Sequence, residues 1–213
     1  FIQTVCHSLC LFLCVSHSVD HNEEFWVKPQ LMKKCKCANA CDLTLDPNTA
    51  HRNLSLSEGN RRVKRVKEEQ PYPDHPERFQ LHPQVLCGEG LTGRCYWEVE
   101  CSGWAAIGVT YKGNSRKEDG SASDFGTNDR SWSLYCTEYH YYALHNNEKT
   151  HISTLPLIRV FLDWLAGSLS FYRVYSNIMT HLYTFQTTFA EPLYPGFKFM
   201  WPGYFSLSLC QVE

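Results

Sequence analysis

The chain has 213 residues, with 43 % hydrophobic and 20 % charged side chains, as expected of a globular protein with a sizeable core. Its 20 Lys and Arg residues nearly balance its 22 Asp and Glu residues, so we expect no nucleic acid partner and no membrane insertion. The aromatic fraction of 14 % is high, which predicts an aromatic β core and favours an aromatic binding surface.

Residues 1–40 differ in texture from the rest of the chain. The stretch from Val5 to Val19 is apolar with interspersed Cys, Ser and His, and it lacks the charged n-region and start Met of a signal peptide. It is too short and too interrupted to span a bilayer. We interpret residues 1–40 as an irregular or disordered lead-in; a gene-model artefact, the end of an upstream domain and a targeting segment stay open. Because the chain begins with Phe1 and not Met, we interpret it as a fragment or an incomplete gene model.

The cysteines predict the redox environment of the chain. There are eleven, an odd number, and they follow no regular disulfide framework. This pattern predicts a reducing, intracellular compartment, in which Cys95 and Cys101 act as small buried hydrophobic residues beside or within strands. A zinc site would need the second ligand pair that the N-terminal cysteine cluster lacks. We therefore predict no metal and no cofactor for the cluster of Cys35, Cys37, Cys41 and His51.

Short alternating segments follow one another from about residue 41 onward. Within residues 94–100, Trp97 and its alternate neighbours are apolar, whereas Glu98 and Glu100 face the other way, which predicts a half-buried antiparallel strand. Turns separate these segments about every 8–12 residues and no helical period appears, so we predict an all-β sandwich or barrel. Further strands are predicted at residues 104–111, 131–135, 159–163, 168–175, 183–185, 193–199 and 204–210.

A basic segment precedes a proline-rich one. Residues 61–67 carry five basic residues around two valines and are followed at once by Glu68 and Glu69. We interpret this segment as a solvated edge strand whose charges discourage aggregation, and a basic docking patch is the alternative. The three prolines within residues 71–76 cannot join a central strand, so a rigid surface loop is predicted there.

Four motifs, in order, resemble those of the PRY-SPRY family. Residues 41–50 contain Leu-Asp-Pro, as at the start of a PRY segment, and residues 91–100 contain Trp-Glu-Val-Glu, the first SPRY signature. Residues 162–172 resemble the second SPRY signature, and residues 192–197 the last, Pro-Leu-x-Pro-x-Phe. The resemblance covers about residues 41–213, with PRY at about 41–90 and SPRY at about 91–213. In style, the sequence is most similar to the C-terminal modules of fish tripartite-motif proteins and NOD-like receptors.

The resemblance implies a fold and a function. The fold is a bent, two-sheet antiparallel β-sandwich of the concanavalin-like jelly-roll type. The function is recognition of another protein through loops at one end, without catalysis. The parent would be a cytoplasmic innate-immune or ubiquitin-ligase protein that carries this module at its C-terminus. Any oligomerisation would then reside in the upstream domains.

The sequence departs from the family pattern at two places. Trp164-Leu165 replaces the usual Tyr-Glu, so Leu165 is either an added contact or an exposed liability. The segment from Arg159 to Asp163 is two residues shorter than the family form. Because strand side chains alternate with period two, we expect an unchanged register and a shortened, weaker strand.

Aromatic residues near predicted loops are the candidate anchors for a partner protein, because interface hot spots favour Tyr, Trp and Arg. By position in the family pattern, Tyr135 and Thr137 belong to the binding face, and Trp201 to another binding loop. Trp97, Trp132, Leu162 and Phe171 are predicted to lie in the core. The full candidate set is Tyr72, Trp104, Tyr111, Tyr135, Thr137, Tyr139 and Trp201.

Other functions are weighed against this interpretation. A secreted toxin or lectin-like subunit with the same module would show oxidised cysteines and a signal peptide. A sandwich hydrolase would use Glu98 or Glu100 in a cleft, although a solvent-facing strand beside Arg or Lys explains both. The glycines from Gly88 to Gly93 precede a strand where a dinucleotide site needs a helix. We interpret the remaining histidine cluster as surface residues: His140, His145 and His151.

Overall fold

The computed structural model describes residues 39–113, 116–117, 121–137, 140–152, 157–176, 178–201 and 205–211. The predicted lead-in therefore lies almost wholly outside the described residues. Within them, none of the helical structure has the length and apolarity needed to cross a bilayer.

Fourteen strands and one short 3₁₀ helix make up the described structure. In chain order they are β1 (Asn39–Ala40), β2 (Leu54–Ser57), β3 (Arg62–Arg65), β4 (Gln84–Leu86), β5 (Arg94–Ser102), β6 (Ala105–Tyr111), η1 (Ser121–Ser123), β7 (Ser131–Cys136), β8 (Tyr141–His145), β9 (Glu148–Ile152), β10 (Leu157–Asp163), β11 (Ser168–Tyr175), β12 (Ile178–Gln186), β13 (Leu193–Phe199) and β14 (Ser206–Leu209).

The strands form two facing sheets, which confirms the predicted two-sheet β-sandwich. The eight-stranded sheet has the order β12-β11-β10-β5-β14-β3-β2, and β1 pairs in parallel with β5. The six-stranded sheet has the order β4-β13-β6-β7-β8-β9, and all its pairs are antiparallel. Short hairpins join five of the twelve strand pairs of the described residues. The last strand, β14, pairs with both β5 and β3 and so links the end of the chain to its beginning.

The core between the sheets follows the alternation predicted from the sequence. In β5, Cys95, Trp97 and Val99 are buried, whereas Glu100 is exposed. Trp97 is only 2 % exposed, and the other predicted core residues lie in the same cluster. Burying side chains of this size contributes about 1.5–3 kcal/mol each. The confirmed core residues are Trp97, Trp132, Leu162 and Phe171.

Strand β10 is two residues longer than the strand predicted at residues 159–163. It pairs with β5 over seven residues, from Leu157 opposite Glu100 to Asp163 opposite Arg94. Its other side pairs with β11 from Ile158 onward without a break. The strand is longer than predicted because Leu157 and Ile158 also adopt extended backbone and pair with the neighbouring strands.

The basic segment does not form an edge strand, contrary to expectation. Strand β3 lies between β2 and β14, so both of its sides are paired. Arg61 and Arg62 pair with Asp42 and Glu58 respectively, at 2.6 and 3.0 Å. These ion pairs neutralise part of the positive charge that a basic docking patch would need.

Cys41 and Cys95 form a disulfide, which the sequence interpretation did not anticipate. Their Cα atoms lie 5.8 Å apart because β1 runs beside the first residues of β5 and the Cys41 amide donates to the Tyr96 carbonyl. Cys95 is therefore a bridging residue and not a free buried thiol. The other described cysteines, Cys87, Cys101, Cys136 and Cys210, are free.

The turn between β10 and β11 depends on Gly167. Its φ is +68°, and a Cβ placed there would lie 1.7 Å from the Thr187 carbonyl oxygen. The Thr187 amide also donates to the Gly167 carbonyl at 2.8 Å, so the two segments cannot separate freely. In the same turn Leu165 is 83 % exposed, so it makes no added contact within the described structure.

Replacing Gly167 with alanine is expected to lower the free energy of unfolding by about 2 kcal/mol, because the new Cβ meets backbone in a strained conformation. Urea unfolding followed by tryptophan fluorescence measures this change. Gly88→Ala is the control, since a Cβ at Gly88 meets nothing within 4 Å. Equal losses in both variants would contradict the steric explanation.

Candidate functional site

The six-stranded sheet brings three of the predicted anchors together at one of its ends. In the register, Ala105 lies opposite both Cys136 and Phe199, and Cys136 lies opposite Tyr141. The residues just beyond these positions therefore emerge side by side. We call this group the loop-end surface: Trp104, Thr137, His140, Met200 and Trp201.

Trp201 is the most exposed part of the loop-end surface. Its side chain is 61 % exposed, whereas Trp104 and Met200 are half-buried. The Met200 amide donates to the Trp104 carbonyl at 3.4 Å, which holds the two chain segments together. Two neighbouring tryptophans, one exposed and one half-buried, have the composition of an interface hot spot.

Thr137 lies in the connection between β7 and β8 and forms hydrogen bonds across it. Its hydroxyl donates to the His140 carbonyl at 2.7 Å and accepts from the His140 amide at 2.9 Å. Both hydrogen-bonding roles of the hydroxyl are thus used, so Thr137 orients the exposed His140 more than it offers contacts of its own. Tyr139, the remaining candidate in this segment, lies outside the described residues.

Tyr135 is buried, which removes it from the anchors predicted for this face. Its side chain is 4 % exposed, and its hydroxyl donates to the Phe125 carbonyl at 2.9 Å. Burial, with a smaller contribution from the Asp124 carboxylate, raises the pKa of the Tyr135 phenol. The sequence pattern placed Tyr135 on the correct face of β7, but residues 121–126 close over that face.

Buried polar contacts hold residues 121–126 on the outer face of the six-stranded sheet. Gln84 is fully buried and bonds the Ser123 carbonyl at 2.8 Å and the Phe125 amide at 3.0 Å. Lys198 forms an ion pair with Asp124, and its Nζ also lies 3.2 Å from the Tyr135 hydroxyl. These contacts fix the boundary between the covered and the accessible parts of the outer face.

Tyr142 takes the accessible position beside Tyr135 and was missed in the sequence. The two rings stack with centroids 5.0 Å apart, and Tyr142 remains half-buried. Lys149 lies 4.9 Å above the Tyr142 ring, and His151 is 6.3 Å from it. The β7–β8 hairpin register, which places Tyr142 opposite Tyr135, was the signal that could have found it.

Two further candidates lie away from the loop-end surface. Tyr111 is 7 % exposed at the opposite end of β6, where it packs edge-on against Trp132 and accepts from the Ala190 amide at 3.0 Å. Tyr72 donates to the Leu54 carbonyl at 2.9 Å and packs against the core. Tyr111 is too buried to act as an anchor, whereas the half-buried Tyr72 stays a prediction outside the loop-end surface.

The positions of Glu98 and Glu100 do not support the alternative of a sandwich hydrolase. Glu98 is paired with Arg159, whose Nε lies 2.7 Å from Glu98 Oε1, as expected for a strand beside an arginine. Glu100 is exposed on the strand surface. The Glu98 carboxylate is therefore already engaged in an ion pair with Arg159.

The residues weighed for a zinc site are only partly described. Cys41 is bonded to Cys95, whereas Cys35 and Cys37 lie outside the described residues. The described ranges contain no grouping of three potential metal ligands. His145 stacks on Trp132 with centroids 4.7 Å apart, so it is a packing residue and not the surface histidine that was predicted.

Comparisons with known proteins agree with this architecture. The family model described as the SPRY-associated domain, PRY, matches residues 43–91, and that of the SPRY domain matches residues 94–211. Stonustoxin subunit beta of Synanceia horrida is 48 % identical over 162 residues, covering 74 % of this chain and 23 % of that protein. Tripartite motif-containing protein 16 of Mus musculus is 40 % identical over 163 residues, covering 74 % and 29 % respectively.

A solved structure supports the same conclusion. The crystal structure of the TRIM65 PSpry domain matches with a TM-score of 0.76 and 32 % identity, covering 91 % of this chain and 100 % of that one. The curated relatives are much longer, since the chain spans only 23 to 29 % of their length. With PRY and SPRY matched in sequence order over the observed sandwich, the chain belongs to the PRY-SPRY family, whose SPRY domain is a protein-interaction module.

Proposed function

We propose that the chain recognises a target protein through the loop-end surface, and that it does so without bond chemistry. The exposed Trp201 beside the half-buried Trp104 is the observation that carries this proposal. Tyr142 and Lys149 extend the surface along the outer face of the sheet, and His140 and Thr137 provide a polar rim. Aromatic anchors surrounded by polar groups are the usual anatomy of a protein interface.

The double variant Trp104→Ala, Trp201→Ala is expected to lose its protein partner. Two hot-spot residues each contribute about 2 kcal/mol or more, so affinity should fall by a factor on the order of 1,000. Partners captured from lysate by the wild-type chain identify the ligand, and titration of the purified partner measures the loss. Thermal unfolding checks that the variant remains folded.

Tyr175→Ala provides the matched control. Tyr175 is 65 % exposed, as Trp201 is, but it lies at the end of β11 in the other sheet. The partner should therefore bind this variant with unchanged affinity. A partner that binds the double tryptophan variant normally, or that is lost only with Tyr175, would place the interface elsewhere.

The family and the free cysteines support a proposal for the kind of protein that carries this module. The likeness to a tripartite motif-containing protein supports a cytoplasmic innate-immune or ubiquitin-ligase parent, in which this module selects the target. The four free cysteines of the described chain suit a reducing compartment. In this proposal the upstream part supplies any enzymatic activity, and the present chain supplies recognition alone.

A toxin subunit is the second candidate for the parent, and two observations favour it. Stonustoxin subunit beta shares 48 % identity with the chain, and Cys41 and Cys95 are bonded as in proteins from oxidising compartments. Mass spectrometry of the alkylated native protein separates the candidates. A bridged Cys41–Cys95 pair in the native protein favours secretion, and two alkylated thiols favour the cytoplasm.

A further inference from the structure

A polar pocket lies in the PRY half of the molecule, and none of its lining residues belongs to the loop-end surface. Its volume is about 660 Å³, and it is lined by residues 51–52, 69, 74–76, 78–80 and 117. This size is within the range of ligand sites, about 300–1,000 Å³. Most of its lining residues carry polar or charged groups, so it offers hydrogen-bond and ionic partners to a polar ligand.

The charges around the pocket favour an anion. Arg52, Arg78 and Lys117 outnumber the acidic Glu69 and Asp74. Asp74 is already engaged, because Arg52 Nη2 lies 2.5 Å from its Oδ1, although the Asp74 side chain is fully exposed. The field of the pocket is therefore net positive.

Arg78 places a buried positive charge in the pocket wall. It is 3 % exposed and donates to the carbonyls of Pro47, Ala50 and Pro73 at 2.6 to 3.2 Å. Among the described residues it has no carboxylate within ion-pair distance. Burial, and next the nearby Arg52, lower the pKa of Arg78. The Arg78 guanidinium also lies 4.9 Å from the centre of the Tyr72 ring. A buried cation whose partners are neutral carbonyls and an aromatic ring attracts an anion to the adjoining cavity.

Three donors of the pocket have no acceptor among the described residues. His75 Nδ1 accepts from the Glu77 amide at 3.2 Å, so the ring proton is on Nε2, which is left to donate. The Lys117 ammonium and the Gln80 side-chain amide likewise have no protein acceptor there. His51 adds no donor, because one ring nitrogen accepts from the Asn53 amide and the other bonds the Gln80 carbonyl.

We propose that this pocket binds a phosphoryl group. A phosphoryl group offers three acceptor oxygens and close to two negative charges at neutral pH. It can therefore satisfy the separate donors of His75, Gln80 and Lys117 together and offset the buried charge of Arg78. A single carboxylate can also accept from several donors, but it carries one negative charge and therefore offsets less of the positive charge of the pocket.

Titration of the full chain with inorganic phosphate at constant ionic strength tests the proposal. We expect saturable amide chemical-shift changes confined to residues 74–80 and 117, with a Kd on the order of 1 mM. Lys117→Gln, which alters an exposed side chain, should weaken binding about threefold, and Arg52→Gln with Lys117→Gln about tenfold or more. Lys149→Gln, on the six-stranded sheet, should leave the affinity unchanged.

The source of the phosphoryl group is resolved by a second titration. A short glycine- and serine-rich peptide with one phosphoserine is compared with inorganic phosphate and with the unphosphorylated peptide. Tighter binding of the phosphopeptide identifies a modified protein segment, whereas equal or weaker binding identifies a small phosphate compound. Absence of saturable shifts with both probes, or equal affinity in Lys117→Gln and the double variant, overturns the proposal and leaves the loop-end surface unaffected.

Discussion

Replacing Cys41 with serine is expected to lower the free energy of unfolding under oxidising conditions by about 4 kcal/mol. The Cys41–Cys95 bridge closes a loop with a sequence separation of 54, which contains the PRY half. In the chain-entropy treatment, cross-linking a loop of that length removes about 4 kcal/mol of conformational freedom from the unfolded state. For a domain of this size, the midpoint of thermal unfolding should fall by about 10 °C.

The comparison that isolates the bridge uses reducing agent and a second cysteine. Wild type in excess phosphine reductant should unfold at the same temperature as Cys41→Ser, because both lack the cross-link. Cys210→Ser should remain as stable as wild type without reductant, since Cys210 is free and only half-buried. Equal melting temperatures for oxidised and reduced wild type would show that the bridge contributes nothing.

Replacing Lys198 with methionine is expected to lower the free energy of unfolding by about 3 kcal/mol. Lys198 and Asp124 form an ion pair with side chains 11 % and 17 % exposed, so removing the lysine leaves a largely buried carboxylate without its partner. Loss of one partner from a buried pair costs about 3–5 kcal/mol, and the residual exposure of Asp124 favours the lower end. Chemical denaturation measures the change.

A double-mutant cycle tests whether the lost pairing is the cause. Lys198→Met with Asp124→Leu should recover most of the loss, because no unpaired charge then remains buried. Glu191→Gln, in the half-exposed Arg130 pair, should cost no more than about 1 kcal/mol. If Lys198→Met alone is as stable as wild type, the pair does not hold residues 121–126 in place.

Hydrogen exchange of one amide reports the local consequence of the same change. The Phe125 amide donates to Gln84 Oε1, and the Phe125 carbonyl accepts from the Tyr135 hydroxyl. Both bonds belong to the segment that Lys198 and Asp124 hold against the sheet. The Phe125 amide should therefore exchange faster in Lys198→Met, whereas the Trp97 amide in the core should not.

Local alternation explains why the fold class and the core could be predicted. Trp97 and its alternate neighbours face inward because successive strand side chains point to opposite faces, which is independent of what the strand pairs with. The PRY-SPRY motifs then indicated which strands follow each other. Strand lengths were less predictable, since Leu157 and Ile158 joined β10 through pairing with β5 and β11 that no local pattern specifies.

The candidate site was predictable only in part. Position in the family pattern assigned Tyr135 to the binding face, but its exposure depends on Gln84 and Lys198, which hold residues 121–126 over it. Trp104 and Trp201 are far apart in sequence, and they lie at the same end of the sheet because β6 pairs with β13. Tyr142 was missed because its position beside Tyr135 follows from the hairpin register.

The sequence by itself determined the all-β class, the inward-facing core residues and the family, because alternation and motifs are properties of the local chain. The tertiary structure decided which aromatic residues are accessible, that Cys41 meets Cys95, and that Arg52, Arg78 and Lys117 surround one pocket. These facts require segments distant along the chain to be brought together. Strand order and loop packing, which arise from long-range contacts, are what bring them together.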